Sequence, residues 1–366
     1  MSLSARQFVA AVVFATAAAA CASLLGVDDV DYGQDGDASA FDGTAADVIV
    51  DDAWVDGAGG DEGGLDVSAP DGSAPYDATP FVLQHLGAPP TVLATDGFTL
   101  FWAAGRQIYR SDGGTNGAVP FFDAASAVQQ LVDQDGFVVW STLNAIESSP
   151  VAAPAVVEIY NSARPFAVGG ANVANVYFRA GNPTGFSVNF CAVNAGCQDA
   201  GNGTALGAPY PKLADLVGAT TAVYFIADIA DGGGTGVFAC PLAGGCLDGS
   251  APSVPVGPQA SALSVMGKDL YWVESAAVLT TPTVVNAVKP KFIANGETSP
   301  HAVVSDGSYV YWTSADGVRV KSLNGGDAST LAPATNGAPT ELVVFGNWIV
   351  WLAPASQDVV AAARPK

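Results

Sequence analysis

The side chains able to do chemistry in this chain are few and widely spaced. There are five cysteines and two histidines among 366 residues, with 35 acidic residues against 13 basic ones. Five residues separate Cys191 from Cys197, and five separate Cys240 from Cys246. In an oxidising compartment such pairs read as two short-loop disulfides, each contributing roughly 2 to 3 kcal/mol. The competing reading is a four-cysteine zinc site, for which this spacing is wider than that of zinc knuckles. His301 and Glu341 are the acid/base candidates, and Gln130, His301 and Glu341 the candidate binding residues. Neither histidine has a partner close in sequence, and the clustered titratable groups that catalysis needs are missing. Asp35-Gly36-Asp37 lacks the regular Asp spacing and terminal Glu of an EF-hand loop. Phosphate loops, nucleophile elbows and H-E-x-x-H are absent from the sequence. Gly169-Gly170 and Gly232-Gly233-Gly234 lie between strand-like runs without the following helix of a dinucleotide site. The expectation is a protein without metal, without cofactor and without enzymatic activity.

The elements that position these residues repeat. In residues 302–334, Ala302-Val303-Val304, Tyr309 to Thr313 and Val318 to Leu323 are β-branched and aromatic runs that read as strands. Asp306-Gly307, Asp316-Gly317 and Asn324-Gly325 punctuate them, dipeptides that tolerate the positive φ of tight hairpins. A fourth strand is expected near Ser329 to Ala332. Period 2 places Tyr309, Tyr311 and Thr313 on one face and Val310, Trp312 and Ser314 on the other. A sheet apolar on both faces needs a neighbour on each side, as a blade in a radial array has.

The aromatic pair counts the copies: Phe101-Trp102, Val139-Trp140, Tyr177-Phe178, Tyr224-Phe225, Tyr271-Trp272, Tyr311-Trp312 and Val350-Trp351. Successive second members are 38, 38, 47, 47, 40 and 39 residues apart, the length of a four-stranded propeller blade. A sandwich with frequent aromatics has no reason to repeat strand, Asp-Gly turn and aromatic strand at this period. The fold predicted is all-β, a seven-bladed β-propeller of four-stranded antiparallel blades, with a six- or eight-bladed ring as the alternative. Val310-Tyr311-Trp312-Thr313 resembles the repeat of YWTD- and NHL-type propellers, particularly bacterial lipoproteins with a degenerate repeat of this kind. The resemblance covers about three-quarters of the chain and implies a fold more than a function.

Aligning copies places Cys240 over Lys321 and Cys246 over Asp327, so each cysteine pair is expected across the hairpin joining third and fourth strands, where another blade has an ion pair. His301 is expected at the start of the innermost strand of the sixth blade, near the channel mouth, with Gln130 and Glu341 in comparable places. The last copy ends after a third strand, Val359 to Ala363. A lone strand-like run, Phe81 to Leu86 with His85 in a structural role, precedes the first copy. The two halves fit: residues 80–366 are read as a propeller whose ring is closed by strand 81–86 joining the C-terminal blade, leaving no free edge.

Upstream, residues 1–20 read as a signal peptide: Arg6, then an apolar run from Phe8 to Ala20 too short to span a bilayer. Ala18-Ala19-Ala20-Cys21 resembles a bacterial lipobox, which implies lipidation at Cys21. Ala22 after it is compatible with the outer membrane. Residues 21–79 read as a disordered Asp/Gly-rich linker, since 22–79 carry 15 acids and no base. Residues 80–366 carry 20 acids and 12 bases, so nothing offers a nucleic-acid footprint. The functional expectation is an exported, lipid-anchored propeller, periplasmic or at the cell surface. It binds or scaffolds a protein or glycan partner without catalysis and is expected to be a monomer. The alternatives are a propeller-type lyase or hydrolase acting at the channel mouth and a structural adhesion protein.

Overall fold

The computed structural model describes residues 79–365 apart from 113–117, 135, 161–165, 170–174, 183–184, 193–203, 206–212, 229–233, 242–252, 284–288 and 336. The signal sequence, Cys21, nearly all of the acidic linker, Cys197 and Cys246 lie outside the described residues. The chain divides after Asp66, and every described residue belongs to the part that begins at Val67.

Its described residues form no regular element but strands, in seven four-stranded antiparallel sheets. Numbered as blades in chain order, their innermost strands are Pro90–Thr95, Gln130–Gln134, Phe166–Gly169, Leu213–Gly218, Ala260–Met266, Val303–Ser305 and Thr340–Phe345. Each of these strands touches its neighbours in order, and Thr340–Phe345 of blade 7 returns to Pro90–Thr95 of blade 1. The ring is closed, and it surrounds a central channel. Blade 7 obtains its outermost strand from the other end of the chain: Phe81–His85 pairs antiparallel with Asp358–Ala363. The shortfall of one strand at the C-terminus dictates this pairing, which leaves no blade with an orphan third strand.

The core lies between blades. Seven apolar clusters occur, one at each junction. Trp312 packs against Tyr271, Val273 and Val278 of blade 5, while the adjacent Tyr311 packs against Leu342, Ile349 and Trp351 of blade 7. The aromatic pair is thus a two-sided rivet, each member serving a different junction, as strand period requires. Trp102, Trp140, Trp272 and Trp312 are fully buried. Three of their indole N–H groups reach a carboxylate, at Glu147 (2.7 Å), Glu274 (3.4 Å) and Glu297 (2.9 Å). Two of the Tyr members use their hydroxyls across the opposite junction, Tyr224 at Thr283 and Tyr271 at Ser305. Where blades 3 and 4 approach most closely only glycine fits, since a Cβ on Gly218 would overlap the Val168 carbonyl.

Candidate functional site: the channel entrance

Four of the seven innermost strands open with an irregularity. Register shifts fall at Thr91 in blade 1, between Leu213 and Leu216 in blade 4, between Ser261 and Ser264 in blade 5 and at Glu341 in blade 7. A bulge re-aims the side chain it carries, and here the re-aimed chains include polar ones. Ala262 and Glu341 hold positive φ angles of 53° and 28°, sparsely populated for residues with a Cβ.

The residue just before the partner of the second aromatic defines a ring position: Gln130 in blade 2, Asp215 in blade 4, Ala302 in blade 6 and Glu341 in blade 7. Two of these stitch neighbouring blades. Gln130 Nε2 donates to the Phe166 carbonyl at 2.6 Å, and its Oε1 accepts the Phe166 N–H at 3.1 Å. Asp215 accepts the N–H of Leu263 in blade 5 at 2.8 Å and that of Leu216 at 2.9 Å. Thr91, at the bulge of blade 1, donates in the same manner to Val128 at 3.3 Å. Among the described residues Glu341 makes no such stitch. The residue is exposed yet walled by its neighbours, and first this burial of the carboxyl, then the Asp215 charge from a non-adjacent blade, raises its pKa to about 7. Burial likewise raises Asp215, against the pull of its backbone N–H donors.

His301 is exposed at the same end of blade 6, its N–H donating to the Thr313 carbonyl at 3.1 Å. The register puts Ala302, not His301, in the place held by Gln130 and Glu341, so His301 stands one residue further out. Among the described residues His301 and Glu341 share no hydrogen bond. His85 lies on the closing strand, its Nδ1 2.7 Å from Asp358 Oδ1. Asp215 was missed in the sequence; its one signal was an acid in the otherwise apolar run Leu213-Ala214-Asp215-Leu216-Val217.

Cys191 and Cys240 are buried at the junctions of blades 2 with 3 and 3 with 4, and both are disulfide-bonded. Their expected partners lie outside the described residues, and the pairing remains a proposal. Lys321, in the register of Cys240, does not meet Asp327: its ammonium donates to the Ile293 carbonyl of blade 5 at 2.8 Å. Ile293 is the extra residue at a register shift in the outermost strand of blade 5, where a bulge leaves backbone outside the ladder for a long side chain of the next blade to meet.

Away from the channel, a groove of about 170 Å³ runs between blades 6 and 7, walled by Phe81, Val82, Val318, Trp351 and Val360. It has no titratable wall residue and offers no chemistry. Among the described residues no three His, Cys, Asp or Glu side chains gather to hold a metal ion, and no helix is long and apolar enough to cross a membrane.

The architecture is that of a β-propeller with an acidic channel entrance. No protein-family profile matches the sequence, and no curated protein is similar to it. Solved structures are. Virginiamycin B lyase from Staphylococcus aureus superposes with a TM-score of 0.56 at 12% identity, over 79% of this chain and 99% of that one. The computationally designed protein Ika8 gives 0.55 at 13% identity, over 77% and 98%. The AfRom2 CNH domain gives 0.51 at 12%, over 78% and 99%. At such identities the likeness is one of fold alone.

Proposed function

We propose that this chain is a non-catalytic binding propeller, exported and lipidated at Cys21, that its acidic linker tethers to the cell envelope and that holds a protein or glycan partner at the channel entrance. One observation carries the binding site: Gln130 and Asp215 are engaged in joining blades, whereas Glu341, at the equivalent position, is exposed and joins no blade among the described residues. A carboxylate facing a second one, with exposed His301 on the next blade, suits a partner that presents cationic or hydrogen-bond-donating groups. The absence of a hydrogen bond between His301 and Glu341 favours binding over acid/base catalysis.

The second reading is a lyase or hydrolase at the same entrance. Its support is the Glu341 pKa of about 7, suited to a general acid, and a lyase among the structural neighbours.

Both readings meet in one experiment. The full-length protein, Glu341→Ala and His301→Ala are presented to a glycan array and cross-linked to envelope extracts, with products followed by mass spectrometry. Saturable binding weakened about tenfold by Glu341→Ala, with no product released, is the expected result. A product that both variants abolish would replace binding with catalysis, and binding indifferent to both would remove the site from the channel. Mass spectrometry of the mature N-terminus tests the anchor: an unmodified Cys21 removes it.

A further inference from the structure

The junction of blades 1 and 2 contains a buried acid that one backbone stitch leaves half satisfied. Asp133, on the innermost strand of blade 2, is 6% exposed. Its Oδ2 accepts the Asp96 N–H at 3.1 Å, while its Oδ1 has no partner among the described residues. Asp96 belongs to the facing turn of blade 1, where its Oδ1 already accepts the N–H groups of Phe98 and Thr99, both at 2.8 Å. Two carboxyl groups therefore confront each other across the seam. Arg110, on the third strand of blade 1, donates to the Val151 carbonyl at 3.5 Å and lies 5.9 Å over the Phe121 ring. Asp135, next but one along the chain, lies outside the described residues.

We propose that Asp96 and Asp133 form a proton-operated clasp between blades 1 and 2, closed when Asp133 carries a proton on its orphan Oδ1 and loosened when that proton is lost to solvent. A protonated Asp133 is a neutral group at a buried position, whereas an ionised one leaves a buried charge with an orphan oxygen beside the like charge of Asp96. Burial first, and the Asp96 charge second, raise Asp133 to about 7, opposed by the Asp96 N–H. The direction of the pH response follows. Unfolded, Asp133 titrates near its ordinary 3.8; folded, it titrates near 7. Between these values the folded state holds the extra proton, so stability falls as pH rises from about 4 to about 7 and stays low above.

The test uses the full chain, unfolded in urea between pH 4.5 and 8, with hydrogen exchange corrected for intrinsic rate and read on amides of residues 91–95 and 130–134. The folding equilibrium of the parent is expected to weaken on the order of a hundredfold across this range relative to Asp133→Asn. Asp96→Asn should move the midpoint down, since it removes one of the two causes of the raised pKa. Exchange at these amides should accelerate with pH in the parent alone. Should Asp133→Asn fail to fold, Asp133→Val, the residue type at the equivalent Val344, replaces it. A pH profile shared by parent and variants overturns the clasp. So does a response that millimolar calcium suppresses and chelator restores only while Asp133 is present, which would make the pair a cation site.

Discussion

The junction of blades 6 and 7 and that of blades 1 and 2 begin from the same turn and resolve it oppositely. In both, a Ser or Thr hydroxyl accepts the Gly N–H and donates to a carbonyl across the turn, while Asp Oδ1 accepts two N–H groups: Ser305-Asp306-Gly307 in blade 6, Thr95-Asp96-Gly97 in blade 1. What faces the turn differs at three positions fixed by register. Blade 6 offers the Tyr311 hydroxyl, 2.8 Å from Asp306 Oδ2, and blade 7 offers Arg364 at 3.6 Å and apolar Val344. Their counterparts at the other junction are Phe101, Val151 and Asp133. Arg364 and Val151 even make the same backbone bond, to Asn347 and Gly136. One junction surrounds its turn carboxylate with donors; the other places a second carboxylate beside it. An aspartate in a repeat is therefore neutral to the fold, and its partners from the next blade decide whether it stabilises.

The largest effect comes from transplanting one junction onto the other. Val344→Asp with Arg364→Val gives blades 6 and 7 the chemistry of blades 1 and 2. At pH 8 the double variant should lose about 3 kcal/mol or more, because it buries an added carboxylate and removes the cation beside Asp306. It should also gain a loss of stability with rising pH, read by thermal unfolding followed by circular dichroism. A double variant as stable as the parent at pH 8 would show that the seam is better hydrated than its burial implies, and the comparison would fail.

A smaller contrast lies on the other face of the same two blades. Trp312 donates to Glu297, which also lies 3.6 Å from Arg319, whereas the Trp102 indole N–H has no acceptor among the described residues. Replacing each by Phe removes similar apolar volume but a charge-assisted bond only in blade 6. Trp312→Phe should therefore cost about 1 to 2 kcal/mol more than Trp102→Phe. Equal costs, in parallel chemical denaturation, would mean that the bond adds nothing beyond packing.

The repeat was legible because packing writes it at a fixed period. The aromatic pair had to recur wherever a blade rivets both neighbours, and the unmatched strand at each end had to find the other. The polar stitches were not legible in the same manner. Gln130 looked like a binding residue because its place in the ring was visible while its partner, the backbone of Phe166, is 36 residues away. Lys321 looked like half of an ion pair for the same reason. Asp133 and Asp215 drew no notice, since a single acid in a strand reads as solvated until a neighbouring blade is known to cover it. What distinguishes Glu341 is that its place in the ring was foreseen and no blade claims it.

The smallest effect tests whether the pH response belongs to the junction or to the channel. Glu341 is raised to about 7, as Asp133 is, so both should weaken the fold as pH rises through the window from about 4 to 7. Their surroundings differ. Asp133 is sealed between blades, whereas Glu341 meets channel water and feels Asp215 across it, an interaction that solvent and salt screen. Glu341→Gln should therefore shift the melting temperature at pH 8 by only on the order of 1 °C, and 0.5 M salt should remove the part of that shift due to Asp215. Asp133→Asn should keep its larger effect in the same salt. If Glu341→Gln proves the larger of the two, or if salt removes the Asp133 effect equally, the channel sets the response and the blade 1–blade 2 seam loses its claim to be the sensor.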